Sequence, residues 1–443
     1  MRARSDLYAY QRTVIERMVG THQLAVFLDP GLGKTASTLT ALHDLKVPST
    51  LIVAPAKVVE MEVWQREALN WGHLSKYKVI GVLGTPSQRL HALATPARAY
   101  VISYANLRWL TEHSTLDFDA VVFDELSRLK HPGSLQFKTM RYRLGHVPRR
   151  YGLTGSPIGN HLRDLWGELY AVALDKPLGT SKVQFDYQYF YTVPLGKTGA
   201  CVYKPRPEAE TEIFKRIRPW VYTLDTEDVP KWFIRINRIK VPLPPSTKAL
   251  VDKLRKELEI ELASGKHILA LASSALALKI QQLNSGALYT DSEGSWEEVH
   301  TAKTDALEAL VEELDGEPLI VYYWFKNEAE RLRKRFPKAR TLQSAKDYAD
   351  WNDRRIPILL AQPASTGLGL NLQHGGHHLA WYTLPWSYEI FKQANARLTR
   401  PGQRSPYVVI HMLTGELDGR VEDALRNKAS TEQRLMAGYS YLE

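Results

Sequence analysis

The sequence predicts an α/β protein of two lobes, each a parallel sheet flanked by helices, with a helical, basic insertion between them. Three observations carry that expectation. Short apolar runs alternate with helical patterns from the N-terminus to about residue 172, which is how a covered parallel sheet reads. A stretch from 173 to 300 breaks the alternation with Tyr-, Lys- and Pro-rich sequence and two helical patterns. From about 301 to 443 the strand-helix alternation starts again. The expected boundaries are therefore 1–172, 173–300 and 301–443.

The first lobe offers LAVFL, TLIVAPA, KVIGVLG, AYVISY, AVVFDE and RRYGLTGSP as strands of a mostly parallel sheet covered by helices. Residues 173–240 include QFDYQYFYTVPLGKTGACVYKPRP and carry no clear strand alternation. A Pro-rich connection then leads into a long charged helix after Pro245, and HILALASSALALKIQQLNS reads as a second helix ending near Gly286. The second lobe offers EPLIVYYWF, ARTLQS, IPILLAQPA, HHLAWYTLP and PYVVIHML as strands.

Composition narrows the function classes. At 443 residues the chain suits roughly three units of about 150 residues each. Its 58 Lys and Arg against 48 Asp and Glu give a formal charge of +10, which favours a polyanionic partner. Cys201 is the single cysteine, so no intramolecular disulfide forms, as expected of a protein in a reducing cytoplasm. The opening MRARSDLYAYQRT lacks the apolar core of a secretory signal, and no apolar run reaches the length of about 18 that crosses a bilayer.

Residues 29–35 read DPGLGKT between an apolar run and a helical pattern. Gly31 and Gly33 let backbone N–H groups turn toward an anion, Lys34 adds a charge for outer phosphates, and Thr35 supplies a hydroxyl for Mg²⁺. Leu28 stands where the general pattern has glycine. Downstream, AVVFDELSRLK places Asp124 and Glu125 at a strand end. One carboxylate suits Mg²⁺ and the other suits the attacking water, so loop and pair together read as a nucleoside triphosphatase that uses Mg²⁺. In the second lobe, QANARLTRPGQ puts Gln393, Arg397 and Arg400 at helical spacing on one face ahead of Pro401, an arrangement suited to arginine fingers.

The order of these motifs resembles that of the SWI/SNF-type ATPases of helicase superfamily two. Tyr10-Gln11, DPGLGKT, LIVAPAKVVEMEVWQREALNW, YVISYANL, DELSRLKHPGS, YGLTGSPIGNHLRDLW, AQPASTGLGLNLQHG, LPWSYEIFKQANARLTRPGQ and GELDGRVEDAL stand where that family has its motifs. Leu126-Ser127 replace the usual Gly/Ala-His, and Pro401 replaces an aliphatic residue. The compact chain, with VYTLDTEDVPKW and WYTLPWSYE, looks most like phage and prophage members of the family.

The resemblance implies two RecA-like lobes and a monomeric motor that hydrolyses ATP to move along double-stranded DNA. It implies phage or host replication and recombination proteins as partners, and no membrane. It implies that Gln11 reads adenine and that Gly31, Gly33, Lys34, Thr35 and Gly369 bind the nucleotide. Thr35 and Asp124 would hold Mg²⁺, and Glu125 would activate water. Gln393, Arg397 and Arg400 would complete the site, and Thr154-Gly155-Ser156 would couple it to DNA. Lys57, Tyr104, Arg128, Lys130, Thr366 and Trp386 are the DNA-contact candidates. Two other activities use the same motifs: strand separation on DNA or RNA, and an ATP-gated DNA clamp with negligible turnover. The Arg128-Leu129-Lys130 trailer favours translocation over the first, and the full set of catalytic residues argues against the second.

Overall fold

Strands β1 (Gln23–Phe27), β2 (Thr50–Ala54), β3 (Val79–Val82), β4 (Ala99–Ser103), β5 (Ala120–Asp124) and β6 (Arg149–Thr154) are the six apolar runs expected of the first lobe. They are Val-, Ile-, Leu- and Ala-rich, and β2 and β4 are buried from end to end, as strands covered on both faces are. The structure, a computed structural model, describes residues 1–114, 117–155, 157, 161–194, 201–224, 233–264, 269–342, 345–363, 371–400, 402–415, 418, 419, 421, 422 and 425. Strands β7 (Phe190–Pro194) and β8 (Cys201–Pro205) pair only with each other, and β9 (Val221–Thr223) adds to the first sheet beside β1. The order is β3-β4-β2-β5-β6-β1-β9, and every pairing is parallel.

The second sheet uses β10 (Phe233–Lys240), β13 (Leu319–Tyr322), β14 (Arg340–Thr341), β15 (Ile358–Ala361), β16 (His378–Trp381) and β17 (Tyr407–Thr414), while β11 (Ala287–Tyr289) and β12 (Trp296–Glu298) make a separate antiparallel pair. Its order is β10-β17-β16-β13-β15-β14, again parallel throughout. Alternation along β13 divides the core: Ile320 and Tyr322 enter one apolar cluster with Trp381 and Ile410, and Leu319 and Val321 enter another with Leu360 and Leu413. Among the described residues, no helix is long and apolar enough to cross a membrane.

Contacts divide the chain into two units. The first holds Met1–Tyr191 and Pro205–Pro230, and the second holds Thr192–Lys204 and Lys231–Ala429. The stretch read as lying between lobes is thus shared out. Strand β9 extends the first sheet, whereas β10 and the helices Pro245–Ser264 and Leu269–Ser285 belong to the second unit. Leu243, Val251, Ile280 and Leu283 hold that helical pair together. Residues 173–240 show no clear strand alternation in the sequence, yet the structure places β7, β8, β9 and, at the end, β10 there. Strand β10 is an edge strand with Phe233, Ile234 and Ile236 exposed, so its Ile/Arg alternation marks no buried face.

Candidate active site

The turn between β1 and the helix Lys34–Asp44 is set by its glycines. Gly31 and Gly33 hold φ of +93° and +73°, and Gly33 is the N-cap of the helix. A Cβ on Gly33 would stand 2.0 Å from Nε2 of Gln11. That position therefore needs glycine for the backbone angle and for the space. The carboxamide of Gln11 is 5% exposed; its oxygen accepts the Tyr8 N–H (2.9 Å) and its nitrogen donates to the Leu32 carbonyl (3.4 Å). Beside it, the rings of Tyr8 and Tyr10 stack with centroids 5.5 Å apart. Nζ of Lys34 donates to the carbonyls of Leu28 (2.8 Å) and Asp29 (3.2 Å), which lays the ammonium along the loop at the positive end of the helix. Leu28 is fully buried and its N–H binds the carbonyl of Thr154 (3.1 Å), so the residue in the usual glycine position serves the core.

Strand β6 lies between β1 and β5, and it joins the loop to the acidic pair. Thr154 pairs with Phe27, and Leu153 with Asp124. Gly155 packs so closely that a Cβ there would be 2.8 Å from the Pro30 ring. The Thr154-Gly155 turn thus touches the loop directly; Ser156 lies outside the described residues.

Asp124 ends β5 half-buried. Its Oδ2 accepts the indole N–H of Trp64 (3.0 Å), and its Oδ1 accepts the backbone N–H of Glu125 (3.1 Å). Burial pushes its carboxyl above the usual range, while the indole, the Lys34 charge and the Glu125 N–H favour the anion. Glu125 adopts φ of +53°, a left-handed conformation that costs a non-glycine residue energy and clusters at functional sites. It is followed by the 3₁₀ turn Leu126–Leu129, in which Leu126 and Ser127 are buried. Hard oxygens from Asp124 and Thr35 suit Mg²⁺, which completes its shell from phosphates and water. Among the described residues no group of three or more His, Cys, Asp or Glu could hold a metal by itself.

The candidate DNA contacts divide. Arg128 is exposed. Lys57 is partly exposed, 3.5 Å from Glu60, and Lys130 is largely buried, 3.8 Å from Asp164. Tyr104 is 7% exposed, and its hydroxyl donates to the Asp124 carbonyl (2.9 Å), so it supports the acidic pair from behind. In the second unit Trp386 is 39% exposed. Thr366 and Gly369 lie outside the described residues.

Gln393 lies in the helix Tyr388–Asn395 and its amide reaches Glu389 (3.4 Å). The helical face expected through 400 is not formed. The helix ends at Asn395, whose side chain accepts the Trp381 indole N–H (2.9 Å), and tight turns of the Arg397 N–H to the Ala394 carbonyl kind follow. Arg397 and Arg400 sit in those turns at 2% and 7% exposure. Arg400 donates to the Ala396 carbonyl and to Oδ1 of Asn371, both at 2.7 Å.

Trp64 was not legible as a site residue. On a helix face a tryptophan reads as core, and nothing in the sequence ties its N–H to Asp124.

A phosphate loop after one parallel strand, with a carboxylate pair two strands away, defines an α/β nucleoside triphosphatase. Residues 10–221 match the SNF2-related domain. The chain is similar to protein p41 of Acyrthosiphon pisum secondary endosymbiont phage 1, with 34% identity over 96% of this chain and 97% of that protein. It is also similar to the uncharacterized ATP-dependent helicase MG018 of Mycoplasma genitalium, 23% identical over 92% of this chain and 40% of that protein. Nuclear protein STH1/NPS1 of Saccharomyces cerevisiae is 28% identical over 51% of this chain and 17% of its own length. Among solved structures, the Sulfolobus solfataricus SWI2/SNF2 ATPase core in complex with dsDNA aligns over 98% of this chain and 94% of that one, with 18% identity and a TM-score of 0.45. The chain belongs to the SNF2-related ATPase family and is an ATP-hydrolysing enzyme.

Proposed function

We propose that this ATPase is a translocase that moves along double-stranded DNA. The observation that supports the reading best is a complete loop-and-carboxylate site inside a match to the SNF2-related domain, followed at once by the exposed Arg128. The net charge of +10 agrees with a polyanionic track.

In this proposal Gln11 contacts adenine, and the loop N–H groups with Lys34 hold the phosphates. Asp124 and Thr35 would hold Mg²⁺, which when bound neutralises charge on the outer phosphates. Glu125 orients and deprotonates the attacking water. Gln393, Arg397 and Arg400 stabilise the transferring phosphoryl group, as arginine fingers do. Thr154 and Gly155, in contact with Leu28 and Pro30, report the state of the loop to the rest of the first unit. Lys57, Arg128 and Lys130 grip backbone phosphates, with Thr366 and Trp386 doing so from the second unit. Phosphate contacts carry no base information, so sequence preference is weak. The resemblance to phage members suggests a monomer that works beside replication or recombination proteins.

Displacement of a triplex-forming strand tests translocation directly. Hydrolysis-driven movement should release the third strand from a duplex while leaving the duplex paired. Separation of the duplex itself would mark a strand-separating helicase. Strong DNA binding with no displacement would mark a clamp.

A further inference from the structure

The resemblance assigns the segment around Trp64 to DNA contact, yet its tryptophan faces inward. Trp64 is fully buried, on the helix Val63–Asn70, and its N–H lies 3.0 Å from Oδ2 of Asp124. An indole N–H can only donate, so it fixes that oxygen as an acceptor. The Glu125 N–H fixes Oδ1 at 3.1 Å, and the Tyr104 hydroxyl holds the Asp124 main-chain carbonyl at 2.9 Å. The indole and the Glu125 N–H each hold one carboxylate oxygen, and the hydroxyl holds the backbone that carries them. A core tryptophan also needs a partner for its N–H, and any carbonyl would serve that need. Here the partner is the carboxylate at the end of β5, within electrostatic reach of Lys34.

We infer that Trp64 is a positioning residue: it aims the Asp124 carboxylate for the metal-nucleotide complex without touching the nucleotide. The inference rests on the proposed role of Asp124 as a Mg²⁺ ligand. Groups that hydrogen-bond a metal's ligands tune metal affinity about 10–100-fold.

The test measures binding rather than turnover. Titrate the full chain with ATP by calorimetry, with no metal and with Mn²⁺, for the wild type and for Trp64→Phe, which keeps an aromatic ring and loses the N–H. The affinity for Mn²⁺·ATP should fall about tenfold, while the affinity for metal-free ATP and the melting temperature change little. In an Asp124→Asn background, Trp64→Phe should have no further effect on Mn²⁺·ATP. Equal losses with and without metal, or an undiminished loss in that background, would show that Trp64 serves packing alone. Should Trp64→Phe not fold, benzothienylalanine at position 64 keeps both rings and lacks the N–H; wild-type Mn²⁺·ATP binding by that protein overturns the inference. An Asp124→Asn protein that keeps the full metal enhancement would instead refute the role of Asp124, whatever Trp64 does.

Discussion

Gly33 shows how much a single position can carry. Its φ of +73° is open to glycine and costly to other residues by about 1–2 kcal/mol. Its missing Cβ also makes room for Gln11, whose Nε2 would otherwise be 2.0 Å away. Gly33→Ala should therefore displace the carboxamide and distort the loop. ATP affinity, read by fluorescent-nucleotide binding, should fall at least tenfold with the fold retained; unchanged affinity would show that the loop tolerates a side chain. The arginines are a separate matter. Arg400→Ala should lose much of the hydrolysis rate, by analogy with arginine fingers worth about 10³–10⁵, while nucleotide binding weakens far less. Single-turnover hydrolysis and binding measured on the same protein separate the two, and an unchanged rate would remove Arg400 from the site. At this scale the loop and the acidic pair were legible because DPGLGKT and DE are local. Trp64 and Tyr104 were not, because their partner is a distant residue across the fold.

Elements of the two sheets were read well where an apolar run marks them, and even the two-residue edge strand β14 lies within the run ARTLQS. Strand β10 was not read, because its Ile/Arg alternation faces no core, and the helix Tyr388–Asn395 stops where Asn395 meets Trp381. Arg150 on β6 was legible only as a charge, yet it is fully buried. Its guanidinium binds the carbonyls of Leu144 and Ala171, at the ends of the helices Leu135–Arg143 and Leu165–Ala173, and a cation there is favoured. Burial pulls its pKa down to about 10, so it stays charged at neutral pH. Arg150→Met keeps volume but removes the side-chain donor from both carbonyls, of which that of Leu144 keeps the Val147 N–H (3.2 Å), and should cost about 2–3 kcal/mol in denaturant unfolding. A neutral or positive effect would mean that desolvation of the guanidinium outweighs its hydrogen bonds.

The second sheet offers a pH test. Asn237, His411 and His378 form a row across β10, β17 and β16, with contacts of 3.1 Å and 3.0 Å. Burial holds both imidazoles down to about 4. Unfolded histidine titrates near 6.5, so between about 6.5 and about 4 the unfolded chain binds more protons. Stability should be flat above that window and fall as pH drops through it. The slope is at most about 1.4 kcal/mol per pH unit for each imidazole, less for the partly exposed His378. Denaturation midpoints from pH 7.5 to 4.5 check this, and His411→Gln should make the dependence shallower, leaving the part due to His378. A slope undiminished by the substitution would place its origin elsewhere.

At the scale of the whole molecule, two parallel sheets were legible from alternating runs, whereas the partition of 173–300 between the units depends on which edge β9 and β10 join. Those edges are tertiary choices that short or exposed strands do not announce. The proposed translocase role makes duplex DNA the driver of this SNF2-related ATPase. The most direct measurement is the steady-state ATP hydrolysis rate of the full chain in Mg²⁺, with duplex DNA, single-stranded DNA, RNA or no polymer. A translocase should show a low basal rate, the largest stimulation by duplex DNA, and loss of that stimulation as salt rises through counterion competition. Stimulation by RNA alone, or no turnover with any polymer despite tight DNA binding, would contradict that role.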